Sequence, residues 1–356
     1  MPRLTHYLHG PGLKARWVHN PAPDLQARIR ELRIDPGDDH LRATVQSLPT
    51  HPLPDQGPPW DLWLLHGHAP DRYAICYRAH HTSHDGAGLI STLGQLFGAA
   101  TTATPQSSPS PTAGLATYAR VIKGMLTSIA TNGIWDSPDR PLTGTRVSNW
   151  AQVPTHRLRT AATLSGSSND AFLAALAGAL RTWSAEHWPP AADRPLPAAM
   201  MVNLRSAEEQ DRPGNLFTFA PVPLPCHRPT PAGRLVDVLA ATRAVRSPEQ
   251  RNAMRTLMDL TPARAFYALA TQLTTPARAI LDTSYINFRS PLHYRGDPVT
   301  HIQTFTWLPR SHPASIAACS YNGTTSVYFA TDAALPGLHR LPALWTEAVE
   351  ALAAPQ

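Results

Sequence analysis

The chain has 356 residues, 42% of them hydrophobic, with nine tryptophans. That exceeds one typical domain of ~100–200 residues and is enough to fill a real core, so two domains or one large composite fold is expected. The net charge of +6 is carried by arginine, because Lys14 and Lys123 are the only lysines; it suits an anionic small molecule or an acidic carrier protein and does not call for nucleic acid.

The three cysteines, Cys76, Cys226 and Cys319, are too scattered for a disulfide framework or a Cys-x-x-Cys site, which points to a reducing, cytoplasmic compartment. The opening residues are polar and carry no secretory leader. The longest apolar run, 171–180, falls short of the ~20 residues that cross a bilayer, so a soluble or at most surface-associated protein is expected.

In chain order, residues 16–18 read as a short strand, 24–32 as a modest helix, and 39–48 as a helix with Leu41, Val45 and Leu48 on one face. A hairpin is expected between 61–66 and 72–79, turning through 67–71. From Gly86 the apolar spacing changes to that of a helix, with Leu89, Ile90, Leu93, Leu96 and Phe97 on one face and an end near Ala100. Residues 101–114 are polar and Pro/Ser-rich, a loop or tether. A helical stripe runs through Tyr118, Val121, Ile122, Met125 and Ile129 to Gly133.

A second polar, proline-bearing stretch, 136–145, is the expected domain boundary. It gives an N-terminal sub-domain 1–135, a linker 136–148 and a C-terminal sub-domain 149–356. Beyond it come a strand 149–159, an alanine-rich helix from Ser167-Ser168-Asn169-Asp170 to near Pro189, and strands 198–204 and 217–224. Helices follow at 234–246, 250–260 and 262–274, then strands 283–288, 301–307, 315–321 and 325–330, the last pair joined by an Asn322-Gly323 turn. A helix over 338–352 closes the chain. Strands and helices mixed in both halves without a repeat give an α/β (α+β mixed) fold.

The chemistry concentrates in His80-His81-Thr82-Ser83-His84-Asp85-Gly86, where a buried strand ends and a helix begins. Asp85 stands where that helix wants an N-cap, and Gly86 allows close approach of backbone. A histidine with a near-neutral pKa is a fit general base. His80, His81, His84 and Asp85 are all metal-ligand types, and His81-x-x-His84 has ligand-like spacing. Adjacent histidines on a strand point to opposite faces and no cysteine or further histidine pair completes a site, so none is expected. Asn169 and Asp170 equally suit a helix cap and first-turn acid, and Asn287 suits a turn. His6, His9, His66 and His68 read as solvated surface.

The stretch matches His-His-x-x-x-Asp-Gly and so resembles the chloramphenicol-acetyltransferase-like superfamily, which includes the condensation domains of peptide synthetases. Pro59-Trp60-Asp61, the Asn169-Asp170 helix, Val202-Asn203-Leu204-Arg205 with Gly214-Asn215, Tyr285-Ile286-Asn287-Phe288 and Ser320-Tyr321-Asn322-Gly323 resemble, in order, elements of bacterial wax ester synthase/diacylglycerol acyltransferases. Against that family the chain is N-terminally shortened, and Asn-Phe-Arg-Ser-Pro at 287–291 departs from its Pro-Gly-Pro.

The resemblance implies two sub-domains forming a V-shaped pseudo-dimer with a channel between them. It implies an acyl transfer from an acyl thioester, CoA or a carrier-protein phosphopantetheine, to an alcohol or amine. His81 would be the base, with no bound cofactor. His80, Asp85 and Gly86 would support the motif, with Arg205 as one candidate partner of Asp85 and the Gly86 helix start as an oxyanion site. Asn169, Asp170 and Asn287 would line the channel. Small-molecule substrates and an acyl or peptidyl carrier protein are the implied partners, and a specialised, secondary-metabolite role is expected. The alternatives are a non-catalytic condensation-like module that binds a carrier or tailoring enzyme, and a lipid-surface binder.

Overall fold

In the computed structural model the described residues are 1–98, 113–128, 132, 134, 141–162, 166–273, 275–306, 308 and 312–354. The chain divides into two compact units, Met1–Ser107 with Arg205–Leu216, and Ser108–Leu204 with Phe217–Gln356.

The first unit begins with a short helix α1 (Pro2–Thr5) and an antiparallel ribbon of β1 (His6–His9) and β2 (Arg16–His19). β3 (Ile29–Arg33), β4 (Trp60–Ala69) and β5 (Arg72–Ala79) form a three-stranded sheet, β3 parallel to β4 and β4 antiparallel to β5, with Trp60 opposite Ala79. Helix α2 (Asp38–Ser47) packs on β4, and α3 (Gly86–Phe97) follows β5.

Residues 24–32 do not form the expected helix. The Arg28 side chain is buried and donates to the carbonyls of Asp24, Gln56 and Pro58. Ile29–Arg33 then pairs with β4, so tertiary pairing overrides local propensity. The buried end of the hairpin carries an ion pair, Arg78 Nε donating to Asp61 Oδ1 at 2.8 Å. His68, expected at the surface, is buried on β4.

The second unit is a six-stranded sheet in the order β6-β13-β12-β9-β7-β8. Its elements in chain order are α4 (Leu115–Ser128), β6 (Arg146–Pro154), α5 (Thr155–Ala161), α6 (Ser168–His187), α7 (Pro189–Ala192), β7 (Leu196–Asn203) and β8 (Phe217–Leu224). They continue with α8 (Pro231–Arg246), α9 (Pro248–Leu260), α10 (Ala263–Leu273), β9 (Leu281–Asn287), the two-residue strands β10 (His293–Tyr294) and β11 (Asp297–Pro298), β12 (Ala314–Tyr321), β13 (Thr324–Asp332) and α11 (Leu341–Ala353).

β9 runs parallel to both β7 and β12, and the outer pairs are antiparallel. Along β13 the side chains alternate as a pleated strand requires. Val327 and Phe329 enter the core built on α6 and α11, while Tyr328 and Ala330 join a smaller cluster with Leu308, Phe305 and Trp150 on the other face. Covered on both faces, β12 is buried throughout.

That second cluster explains one misreading. Residues 301–306 are not a strand; Phe305 lies against Tyr328, ring centroids 6.4 Å apart, so the segment covers the sheet without extending it. The strand expected over 149–159 ends at Pro154, where α5 takes over. Of the stretch expected as a linker, 136–140 lies outside the described residues. At 143–144, Thr143 and Gly144 donate backbone N–H groups to the buried Asp332, and β6 begins at Arg146. The expected 101–114 tether and the end of the stripe at Ile129 and Gly133 likewise fall, apart from residues 113–114, outside the described residues.

Candidate active site

β5 stops at Ala79, and His80 to Ser83 turn back on themselves, the Ser83 backbone N–H and hydroxyl both donating to the His80 carbonyl at 3.0 and 2.9 Å. Because the strand has already ended, His80 and His81 are both exposed and do not alternate across a sheet. His80 Nδ1 accepts from the Thr82 backbone N–H at 3.2 Å. Burial and the neighbouring His81 push the His80 pKa down. His81 Nδ1 lies 3.2 Å from the Asn215 side-chain oxygen.

His84 points the other way, into the unit. Its Nδ1 meets the Ser83 hydroxyl at 3.0 Å, and its Nε2 meets the Tyr77 hydroxyl at 3.0 Å and the Thr92 hydroxyl at 3.1 Å. Burial, reinforced by the Arg3 charge, lowers its pKa to about 3, so the ring is neutral. Burial likewise pushes the Tyr77 phenol up.

Asp85 is the N-cap of α3, its Oδ1 accepting from the Gly88 backbone N–H at 2.7 Å. Its other oxygen accepts from the Leu216 backbone N–H at 2.9 Å. The buried Arg205 completes the set, Nε at 3.1 and 3.0 Å from the two carboxylate oxygens and Nη2 at 2.9 Å from Oδ2. Burial alone would raise the Asp85 pKa; the Arg205 hydrogen bonds and the two amides outweigh it and hold the carboxyl below the usual range.

Arg205 also donates to the carbonyls of Glu209, Arg212 and Gly214 at 2.7, 2.8 and 2.5 Å. One guanidinium therefore ties the motif loop to most of the 205–216 segment. Arg3 adds a second brace, donating to the carbonyls of Gln210 and Arg212. Gly88 lets the two approach, since a Cβ there would stand 2.7 Å from Arg3 Nε and the Arg3 side chain would have to shift.

Gly86 opens α3 and is exposed. A cavity of about 260 Å³ adjoins the histidine turn, lined by Leu8 and Trp17 of the ribbon, Thr82, and the 212–216 segment including Asn215. The structure thus brings His80, His81, Asp85, Gly86 and Arg205 into one site in the first unit.

Asn169, Asp170 and Asn287 belong to the second unit. Asp170 is buried in the first turn of α6. Its carboxylate accepts from the Ser167 backbone N–H at 2.6 Å and the Thr242 hydroxyl at 2.6 Å, and Arg246 stands 3.0 Å away. Asn169 Nδ2 donates to Met200 Sδ at 3.4 Å, and Asn287 is exposed at the end of β9.

Asn215, Arg3, Tyr77 and Thr92 carry no assigned role in the sequence reading. Only Asn215 had a signal there, as half of the Gly214-Asn215 pair. Among the described residues no group of three or more His, Cys, Asp or Glu side chains is placed to hold a metal, and no helix is long and apolar enough to cross a membrane.

Two family models match. The wax ester synthase/diacylglycerol acyltransferase catalytic domain covers residues 3–189, and the C-terminal domain of the same family covers residues 213–353. Two Mycobacterium tuberculosis proteins, each bearing the name "putative diacylglycerol O-acyltransferase", are similar in sequence. One is 30% identical over 83 residues, 23% of this chain and 18% of the relative; the other is 26% identical over 280 residues, 65% of this chain and 56% of the relative. The chain thus spans no more than about half the length of these curated relatives.

Among solved structures, the wax ester synthase/diacylglycerol acyltransferase from Marinobacter aquaeolei VT8 superposes with a TM-score of 0.63 at 18% identity, over 98% of this chain and 85% of that one. A mutant starter condensation domain of rhizomide synthetase in complex with C8-CoA gives 0.62 at 15% identity, over 99% and 83%. At such identities the likeness is one of fold.

Proposed function

The chain belongs to the wax ester synthase/diacylglycerol acyltransferase family, and from that membership we propose that it is an acyltransferase joining the acyl group of a thioester to an alcohol or amine, with His81 as general base. The acceptor O–H or N–H gives its proton to His81 as the oxygen or nitrogen attacks the thioester carbonyl. The tetrahedral intermediate collapses with loss of the C–S bond, and the imidazolium returns the proton to the departing thiolate. The products are an ester or amide and a free thiol, and no covalent enzyme intermediate is needed.

The observation that carries this reading is the exposed His81 ring, held by Asn215 on a turn fixed by Asp85 and Arg205. A CoA thioester is the donor we favour, supported by the C8-CoA complex of a protein of the same fold; a carrier-protein phosphopantetheine thioester presents the same reacting atoms. The condensation-domain likeness supports a place in secondary metabolism, with the enzyme working in the cytoplasm. Gly86 supplies a backbone N–H at the α3 start, where a tetrahedral oxyanion would be stabilised.

A panel of acyl-CoAs against pooled alcohols and amines, read by mass spectrometry, tests the proposal. His81→Ala should lower turnover by about 10²–10⁴-fold with an unchanged melting temperature, because the side chain is exposed. Full turnover by that variant removes His81 as the base. A native chain that turns over no thioester yet captures a carrier protein is a binding module instead.

A further inference from the structure

We infer that Asn215 is the positioning residue that orients the His81 imidazole and decides which ring nitrogen carries the proton, an inference that rests on His81 being the base. An amide oxygen only accepts hydrogen bonds, and Asn215 Oδ1 faces His81 Nδ1 at 3.2 Å. Nδ1 is then the N–H, and Nε2 is the basic nitrogen that takes the acceptor's proton.

Asn215 can hold the ring because its own backbone is fixed on either side. The Gly214 backbone N–H donates to the Ser83 carbonyl at 3.1 Å, and the Gly214 carbonyl accepts from Arg205 Nη2 at 2.5 Å. On the other side the Leu216 N–H donates to Asp85 Oδ2 at 2.9 Å. These anchors lie at Ser83 and Asp85, two and four residues beyond His81. The stretch that carries the base therefore also places the residue that orients it. Gly214 makes the turn possible, with φ +94° and a Cβ position only 3.1 Å from Trp17 Cζ2. Of the titratable groups, His80 and His84 each feel the His81 charge, and Arg212 lines the adjoining cavity with Thr82 and Asn215.

The test uses the full chain. Imidazole ¹⁵N shifts of labelled protein, assigned with His81→Ala, should show His81 as the Nδ1–H tautomer, and Asn215→Ala should lose that preference. In turnover assays Asn215→Ala should lower kcat on the order of 10²-fold with KM nearly unchanged. Asn215→Asp sets a carboxylate against the ring and should move the acid limb of the kcat–pH profile up by about one unit or more, a displacement that a merely structural residue would not produce. An inactive His81→Ala beside Asn215 variants with wild-type kcat, pH limb and tautomer overturns this inference alone. A fully active His81→Ala overturns the reading beneath it.

Discussion

Helix α3 in the first unit and helix α6 in the second each begin on a buried aspartate met by an arginine. At α3 the arginine is as buried as the acid, with side-chain exposures of 0% for Arg205 and 2% for Asp85. Every face of that guanidinium is used, on Asp85 and on three carbonyls of the 205–216 segment. At α6 the acid is 1% exposed but Arg246 is 41% exposed, and the contacts tie one helix to another through Thr242 and Arg246 of α8. The same local device therefore does two jobs. Around Asp170 it fastens a helix pair; around Asp85 it fixes an irregular loop, and loops are where a protein can hold reactive side chains out to solvent.

Removing one member of each pair separates the two jobs, most sharply at Arg205. Arg205→Ala leaves the buried Asp85 carboxylate without its charge partner and takes a donor from the carbonyls of Glu209, Arg212 and Gly214, and should cost about 3–5 kcal/mol, read as a lower urea midpoint together with loss of turnover. A variant of near-native stability would mean that the loop does not depend on this pair.

The next effect is one of pH. His84 has a folded pKa of about 3 against an ordinary value near 6.5. As pH falls below about 6.5 the unfolded chain takes up a proton that the folded chain refuses. The stability is whole above that point and is lost progressively toward pH 3, at up to roughly 1.4 kcal/mol per pH unit. Asp85, whose carboxyl is held low, adds its own loss only further down, as pH falls below about 4. His84→Gln should flatten the urea-midpoint profile between pH 6.5 and 4; an unchanged slope would assign the acid sensitivity to other groups.

The smallest effect belongs to the helix pair. Asp170→Ala removes the first-turn acid and the partner of Thr242, yet the freed Arg246 can turn to water. A loss of about 1–3 kcal/mol in thermal or urea unfolding is expected, below that of Arg205→Ala. An equal or larger loss would erase the distinction between the two clamps.

The strand, turn and helix around the histidines were legible because the change from aromatic and β-branched residues to helical spacing falls at the motif, and Asp85 has the chemistry of a cap. The α6 start was legible for the same reason, from Ser167 and Asp170. What pairs with Asp85 was not fixed by local pattern: 120 residues separate it from Arg205, and the chain has many arginines. Asn215 was harder still, since nothing in its neighbourhood says that its amide faces an imidazole 134 positions earlier. Two of the misread elements share one physical cause. Ile29–Arg33 is strand because β4 offers a ladder, and 301–306 is irregular because Tyr328 offers an aromatic face; both are decided by distant partners.

The segment Arg205–Leu216 belongs to the first unit although β7 and β8, which flank it in sequence, belong to the second. During synthesis, the histidines emerge from the ribosome well before the residues that brace them. The nascent chain must include Arg205 before Asp85 meets its guanidinium, and Asn215 before His81 meets its amide. A chain interrupted before Arg205 carries the whole signature without the guanidinium and the amide that brace it.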